Sequence, residues 1–278
     1  MNHPITPLVL PAASAVLFAL IALFPALSGA DQSTFTTGEE LATLVHERPD
    51  GEDASTRGTM TLREEGGRPR EREMLTFTRD EDDGGTQTMI RFLSPGSIED
   101  TGMLVHDHPD GSRDQWIYLP ALDRVRRIAS ERQGGRFVGS DLFFEDLGDR
   151  LPKLDEHELK GEDTFEGQPV EILESKPVDA DNSVYSKRLS WVHLETMIPL
   201  RIDFYQGGAD APMKRWTVQR IDRIDGYWTV MGHTVEDLDS GHTTTLVVDE
   251  IVYDQNLPQE LFSSSGLADP GMHRDLRP

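Results

Sequence analysis

The sequence predicts a mainly β, antiparallel domain, a sandwich or a barrel. Three observations lead there: apolar residues recur with period two over most of the chain, glycine-rich turn signals separate the runs at near-regular spacing, and no strand-like run alternates with a helical one. The last point disfavours a doubly wound α/β fold.

The chain has 278 residues, 36% hydrophobic, with a mean hydropathy of -0.48. That length encloses one large β-domain or two small ones. No internal repeat or second composition regime divides it, so a single domain is expected over 31–265, with a loose tail over 266–278 that carries Pro270, Gly271 and Pro278.

Residues 1–30 hold no Asp, Glu, Lys or Arg. An apolar run, Ala15 to Phe24, leads to Pro25 and then to Ser28-Gly29-Ala30, a small-residue cleavage pattern before Asp31. The expectation is a cleavable signal peptide over 1–30 and a periplasmic protein. An uncleaved anchor over 5–26 is long enough to span a bilayer. Pro7, Pro11 and Pro25 weaken it.

After the leader, Thr37-Gly38-Glu39-Glu40 has capping-box spacing, and Leu41, Leu44 and Val45 follow on one helical face. A short helix ending near Pro49-Asp50-Gly51 is expected. From Gly58 the period changes to two. Met60 and Leu62, Met74 to Thr78, and Thr88 to Phe92 alternate around the turns Glu64-Glu65-Gly66-Gly67 and Asp82-Asp83-Gly84-Gly85. Further strands are expected at 103–106, 115–119, 124–128, 169–175, 186–193, 200–205, 214–221, 228–237 and 243–253. The segment Ser140-Asp141-Leu142-Phe143-Phe144-Glu145-Asp146-Leu147 begins with cap residues and reads as a helical turn. It is either a connector tucking its Phe pair onto the barrel mouth or a lid over an interior cavity.

Asp+Glu outnumber Lys+Arg by 50 to 27, a formal net charge of -23. Such a polyanion repels nucleic acid and anionic membrane surfaces over its general face, so no nucleic-acid partner is expected. Cysteine is absent. There is consequently no disulfide, no thiolate nucleophile and no lipobox acylation site.

Motifs of catalysis are missing: no G-x-S-x-G, H-E-x-x-H or P-loop occurs. His157-Glu158 lacks the second zincin histidine, and Asp80 to Gly85 lacks calcium-loop spacing. His106-Asp107-His108 places two imidazoles on one strand face, and His193 or His233 is the candidate third ligand. Two ligands fall short of the usual three or four, so no metal site and no cofactor are expected. Aromatic residues concentrate on strand faces: Trp116 with Tyr118, Trp191 with Leu189, Phe204 with Ile202, and Trp216 with Val218. The same alternation serves a filled core or the wall of an apolar cavity.

The series Trp116-Ile117-Tyr118-Leu119-Pro120, Arg126-Arg127-Ile128, Phe137-Val138-Gly139-Ser140-Asp141 and Glu145-Asp146 resembles the outer-membrane lipoprotein-sorting, LolA-like family. The resemblance implies an incompletely closed antiparallel β-barrel with a few short helices forming a lid. It implies a non-enzymatic carrier that shelters lipoprotein acyl chains or other lipid cargo and supports their transfer toward the outer membrane, with an inner-membrane exporter or an outer-membrane receptor as further partners. The alternative is an accessory or adaptor protein of an inner-membrane (RND-type) exporter that binds protein rather than lipid. Candidate cargo contacts are Trp116, Tyr118, Phe143, Phe144, Trp191, Phe204 and Trp216. Arg126 and Arg127 point to opposite faces of their strand, and one of them is expected to latch onto the lid acids Asp141, Glu145 or Asp146.

Overall fold

The alternating runs settle into one continuous antiparallel sheet in the computed structural model, which describes residues 35–276 and Pro278. Its first half comprises β1 (Asp53–Arg63), β2 (Arg70–Asp80), β3 (Thr86–Ser94), β4 (Gly102–Asp107), β5 (Arg113–Leu119) and β6 (Arg124–Arg127). The second half comprises β7 (Asp155–Phe165), β8 (Gln168–Pro177), β9 (Lys187–His193), β10 (Pro199–Tyr205), β11 (Lys214–Ile224), β12 (Tyr227–Asp237) and β13 (Thr243–Tyr253). Each half is a meander of neighbouring hairpins, and the halves join where β1 pairs with β13. The order is β6-β5-β4-β3-β2-β1-β13-β12-β11-β10-β9-β8-β7. β6 and β7 lie at opposite edges, so the sheet curls without closing. At the β1–β13 seam the register shifts between Arg57 and Gly58. A Cβ on Gly58 would sit 2.4 Å from the Val247 carbonyl oxygen, so this bulge requires glycine.

Twelve of the strands match the expected runs; β7 has no counterpart among them. Its inward side carries Asp155, His157 and Leu159, and the other residues are mostly charged. An edge strand kept polar against stray pairing loses the apolar alternation that reveals a strand.

Helix α1 (Gly38–His46) forms where the capping pattern places it. The Thr37 side chain accepts from the Glu40 amide at 3.1 Å, and Glu40 reaches back to the Thr36 amide at 2.8 Å. Leu41 and Ala42 press onto Leu173 and Val192, so α1 covers the concave face over β7–β9.

The opposite, convex face over β2–β5 is covered by the C-terminal segment. Leu257, Leu261, Phe262 and Leu267 pack on Leu75, Phe77, Met89 and Leu104. The tail expected to be loose from residue 266 is therefore docked: Leu267, in the short helix α2 (Ser264–Ala268), and His273 are both fully buried. Its spaced apolar residues supply the cover that the outward Leu75 and Phe77 require. Arg91, fully buried on this face, donates to the carbonyls of Asp100 (2.6 Å) and Leu267 (2.5 Å). Burial lowers its pKa to about 10, so it remains a cation at neutral pH. The described residues fall within one compact unit. The signal peptide expected over 1–30 lies outside them. No helix among the described residues is long and apolar enough to cross a membrane.

Candidate functional site: a lidded apolar cavity

The concave face, α1 and the segment joining β6 to β7 enclose a cavity of about 1310 Å³. That exceeds the roughly 300–1,000 Å³ of a small-molecule cleft. Met60, Met74, Ile90, Ile202, Trp216 and Leu246, one from each of six strands, form the apolar part of its wall, and Glu145, Asp146, Arg188 and Lys214 line it as well. His233 faces the cavity beside Trp216, with ring centroids 5.1 Å apart. Burial drives its pKa down to about 4, so at neutral pH it presents an uncharged imidazole.

Residues 128–154 travel from the β6 edge across the concave face to the β7 edge. The path needs tight backbone: Val138 and Gly139 both adopt positive φ, 44° and 76°. For a β-branched residue this conformation is strained. It delivers Phe137 and Leu142 into the core with Leu62, Phe92 and Met103, where both also line the cavity. Phe143 stacks on Tyr185 at 5.9 Å, and Tyr185 leans on Phe204 at 4.7 Å.

Polar contacts pin the same segment to both walls. On the β5 side, Arg113 is paired with Asp107 and donates to the carbonyls of Glu145 (2.9 Å) and Asp149 (2.7 Å). Gln115 donates to the Phe144 carbonyl at 2.7 Å. On the far side, Glu145 accepts from Arg188 of β9, the Val184 amide and Ser183. Asp146 binds Lys214 of β11, the Tyr185 hydroxyl (2.7 Å) and the Phe143 amide (2.6 Å). Asp141 accepts from Arg136 (2.6 Å) and Thr244 (2.7 Å) and contacts the His242 ring (2.5 Å). Burial pushes the Lys214 ammonium below its ordinary pKa, and Asp146 beside it holds it up. Arg188 is pushed down by burial and by neighbouring Arg150. Each of these buried charges has an opposite partner, as the low-dielectric interior demands.

The cavity opens between the C-terminal end of α1 and the β2–β3 turn, where Asp50, Glu52, Asp80, Glu81 and Asp149 gather. Burial raises the carboxyls of Asp50 and Asp80, with nearby carboxylates adding to the shift. His46 lies 3.2 Å from Asp149 and joins α1 to the crossing segment; this contact raises its pKa.

Of the candidate cargo contacts, Phe204 and Trp216 line the cavity. Phe143 and Phe144 instead anchor the crossing segment, Phe144 edge-on to Phe137 at 6.1 Å. Trp116 and Tyr118 are on the convex face under the C-terminal cover, and Trp191 lies beneath the Arg201 guanidinium at 4.2 Å. None of these five is among the lining residues. Asp141, Glu145 and Asp146 are each ion-paired, but not with Arg126 or Arg127. Arg126 and Arg127 are exposed on the edge strand, Arg127 paired with Asp114, while Arg188, Lys214, Arg136 and His242 hold the acids. The reason is topological: β6 stands at the rim, and the segment leaves it to cross the sheet. Lys214 shares a face with Trp216 and Val218 by strand alternation, and a cation on an apolar face is the signal that would have marked it. His106 contacts the Phe262 carbonyl at 2.9 Å, and His108 pairs with Asp114. No cluster of three metal-ligating side chains occurs among the described residues.

An unclosed antiparallel half-barrel, lidded by a short helix and a crossing segment over an apolar cavity, is a LolA-like fold. A crystal structure provisionally described as an outer membrane lipoprotein-sorting protein domain, from Vibrio parahaemolyticus, superposes with TM-score 0.79 at 29% identity, over 84% of this chain and 98% of that one. A DUF1329 family protein from Desulfovibrio piger gives TM-score 0.79 at 29% identity, over 83% and 97%. A LolA superfamily protein from Nitrosomonas europaea shares the fold at TM-score 0.67 and 16% identity, over 84% and 100%. No curated protein sequence matches the chain. The model of a family described only as "Uncharacterized protein" matches residues 84–269, and the chain belongs to that family.

Proposed function

We propose that this protein is a periplasmic carrier that takes the acyl chains of a lipoprotein, or another lipid, into its cavity and supports their transfer toward the outer membrane. The observation that carries the reading is the lidded cavity of about 1310 Å³ with an apolar wall. A carrier of this kind works by burial rather than by chemistry, at about 0.8 kcal/mol for each CH₂ removed from water. The likeness to the lipoprotein-sorting domain supports the cargo class. The uncharged leader, read as an export signal, supports the compartment. Native mass spectrometry of gently purified protein tests the reading. Adducts of lipid or acylated peptide are expected, and Leu246→Arg, placing a charge in the wall, should remove them. Protein that carries no such adduct and takes up no fluorescent fatty acid or acylated peptide would overturn it.

A further inference from the structure

The arginines of the R-R-I motif, released from any latch, gather in a second feature. Residues 124–136 contain five Arg and one Glu in a chain of net charge -23. Arg136 is consumed by Asp141 and Asp237. Arg124, Arg126, Arg127 and Arg132 are exposed, and of these Arg127 has an ion-pair partner, Asp114. Three stand on β6, the edge of the sheet, where they flank both faces of the strand. The turn that leads into β6, Pro120–Leu122, carries Leu122 at 53% exposure beside exposed Ala121.

We propose that the β5–β6 hairpin docks the protein by its tip to an anionic lipid bilayer, with Leu122 entering the interface and Arg124 and Arg126, the arginines nearest the tip, meeting lipid phosphates. An exposed leucine at a turn tip has no role in pairing with an acidic polypeptide, but it suits a surface with hydrocarbon below its charges. The acidic remainder of the molecule repels such a surface wherever it comes within the ~8 Å screening length. That repulsion selects the orientation. The hairpin tip lies beside the β3 and β4 residues Arg91 and Gly102, and the acidic mouth forms at the opposite end of those strands, around Thr86 and Asp107. Docking by the tip therefore turns the carboxylates of the mouth away from the lipid and leaves the mouth accessible.

The test is flotation of the full chain with vesicles of phosphatidylcholine, with and without phosphatidylglycerol, at low and high salt. Binding to the phosphatidylglycerol vesicles that weakens with salt is expected. Each arginine contributes roughly fivefold near an anionic surface, so replacing Arg124 and Arg126 by Gln should cut binding by about twenty-five-fold. Because the chain lacks cysteine, Leu122→Cys accepts a single environment-sensitive dye, whose emission should rise and shift to the blue on phosphatidylglycerol vesicles. Equal binding to both vesicle types, full binding by the two-Gln variant, or a dye that stays in water would each overturn the proposal. Failure to bind vesicles while binding an acidic protein segment would overturn it too.

Discussion

Asp146 and Lys214 form a buried ion pair that ties the segment crossing the barrel to the wall opposite its anchor on β5; their side chains are 11% and 2% exposed. The ammonium also faces three aromatic rings, at 4.1 Å from Phe143, 4.8 Å from Tyr185 and 4.9 Å from Phe204. Removing one partner leaves the other charged in a dry site, a loss of about 3–5 kcal/mol. Asp146→Ala should therefore lower stability by that order in guanidinium unfolding. The double variant Asp146→Leu with Lys214→Met removes both charges and should cost clearly less than the two single changes summed. Strict additivity would show that the pair is not coupled.

The β5 anchor depends on a missing side chain. A Cβ on Gly148 would lie 2.3 Å from the Arg113 guanidinium carbon, and Arg113 is held there by Asp107 and two carbonyls. Gly148→Ala must displace a cation that has nowhere comparable to go, at a cost of about 1–3 kcal/mol. The Asp149 amide, which donates to Asp107 at 2.8 Å, should then exchange its hydrogen roughly tenfold faster. Unchanged protection at Asp149 would mean that Arg113 does not organise this end of the lid.

The difference between what sequence revealed and what it concealed follows from solvent exposure. Strands with one wet face, such as Met74 to Thr78, advertise themselves by alternation. β7 does not, because its role as an edge requires charge along its length. The lid acids Asp141, Glu145 and Asp146 were legible as a cluster, but their partners are up to 103 residues away in sequence. Pairing across the sheet is fixed by the order of thirteen strands, which no local pattern contains. Trp116 and Tyr118 illustrate the same limit: alternation placed them on one face, and only the docking of Leu261 and Leu267 made that face the outer one.

That docking makes the C-terminal segment part of the fold. Leu267 touches the convex face from α2 and is fully buried. Leu267→Ala should cost about 2–5 kcal/mol. A chain ended after Phe262 should uncover the face over β3 and β4, bind a hydrophobic dye and aggregate. A truncated chain that remains monomeric and dye-free would show that the cover is dispensable.

Two histidines should shape the pH profile with opposite signs. His233 in the folded protein titrates at about 4, below the ordinary 6.5, because burial disfavours its cation. Between those values the unfolded chain binds the extra proton. The stability associated with neutral His233 is thus complete above pH 6.5 and is lost as pH falls toward 4, by up to about 3 kcal/mol. His46 is raised by its hydrogen bond to Asp149. Its contribution is complete below pH 6.5 and disappears as pH rises through the folded value. Unfolding midpoints measured from pH 4 to 8 should separate them. His233→Leu should flatten the acid limb relative to the parent, and His46→Gln should lower stability near pH 6 while leaving pH 8 nearly unchanged. An acid limb of unaltered slope in His233→Leu would place the destabilising protonation elsewhere.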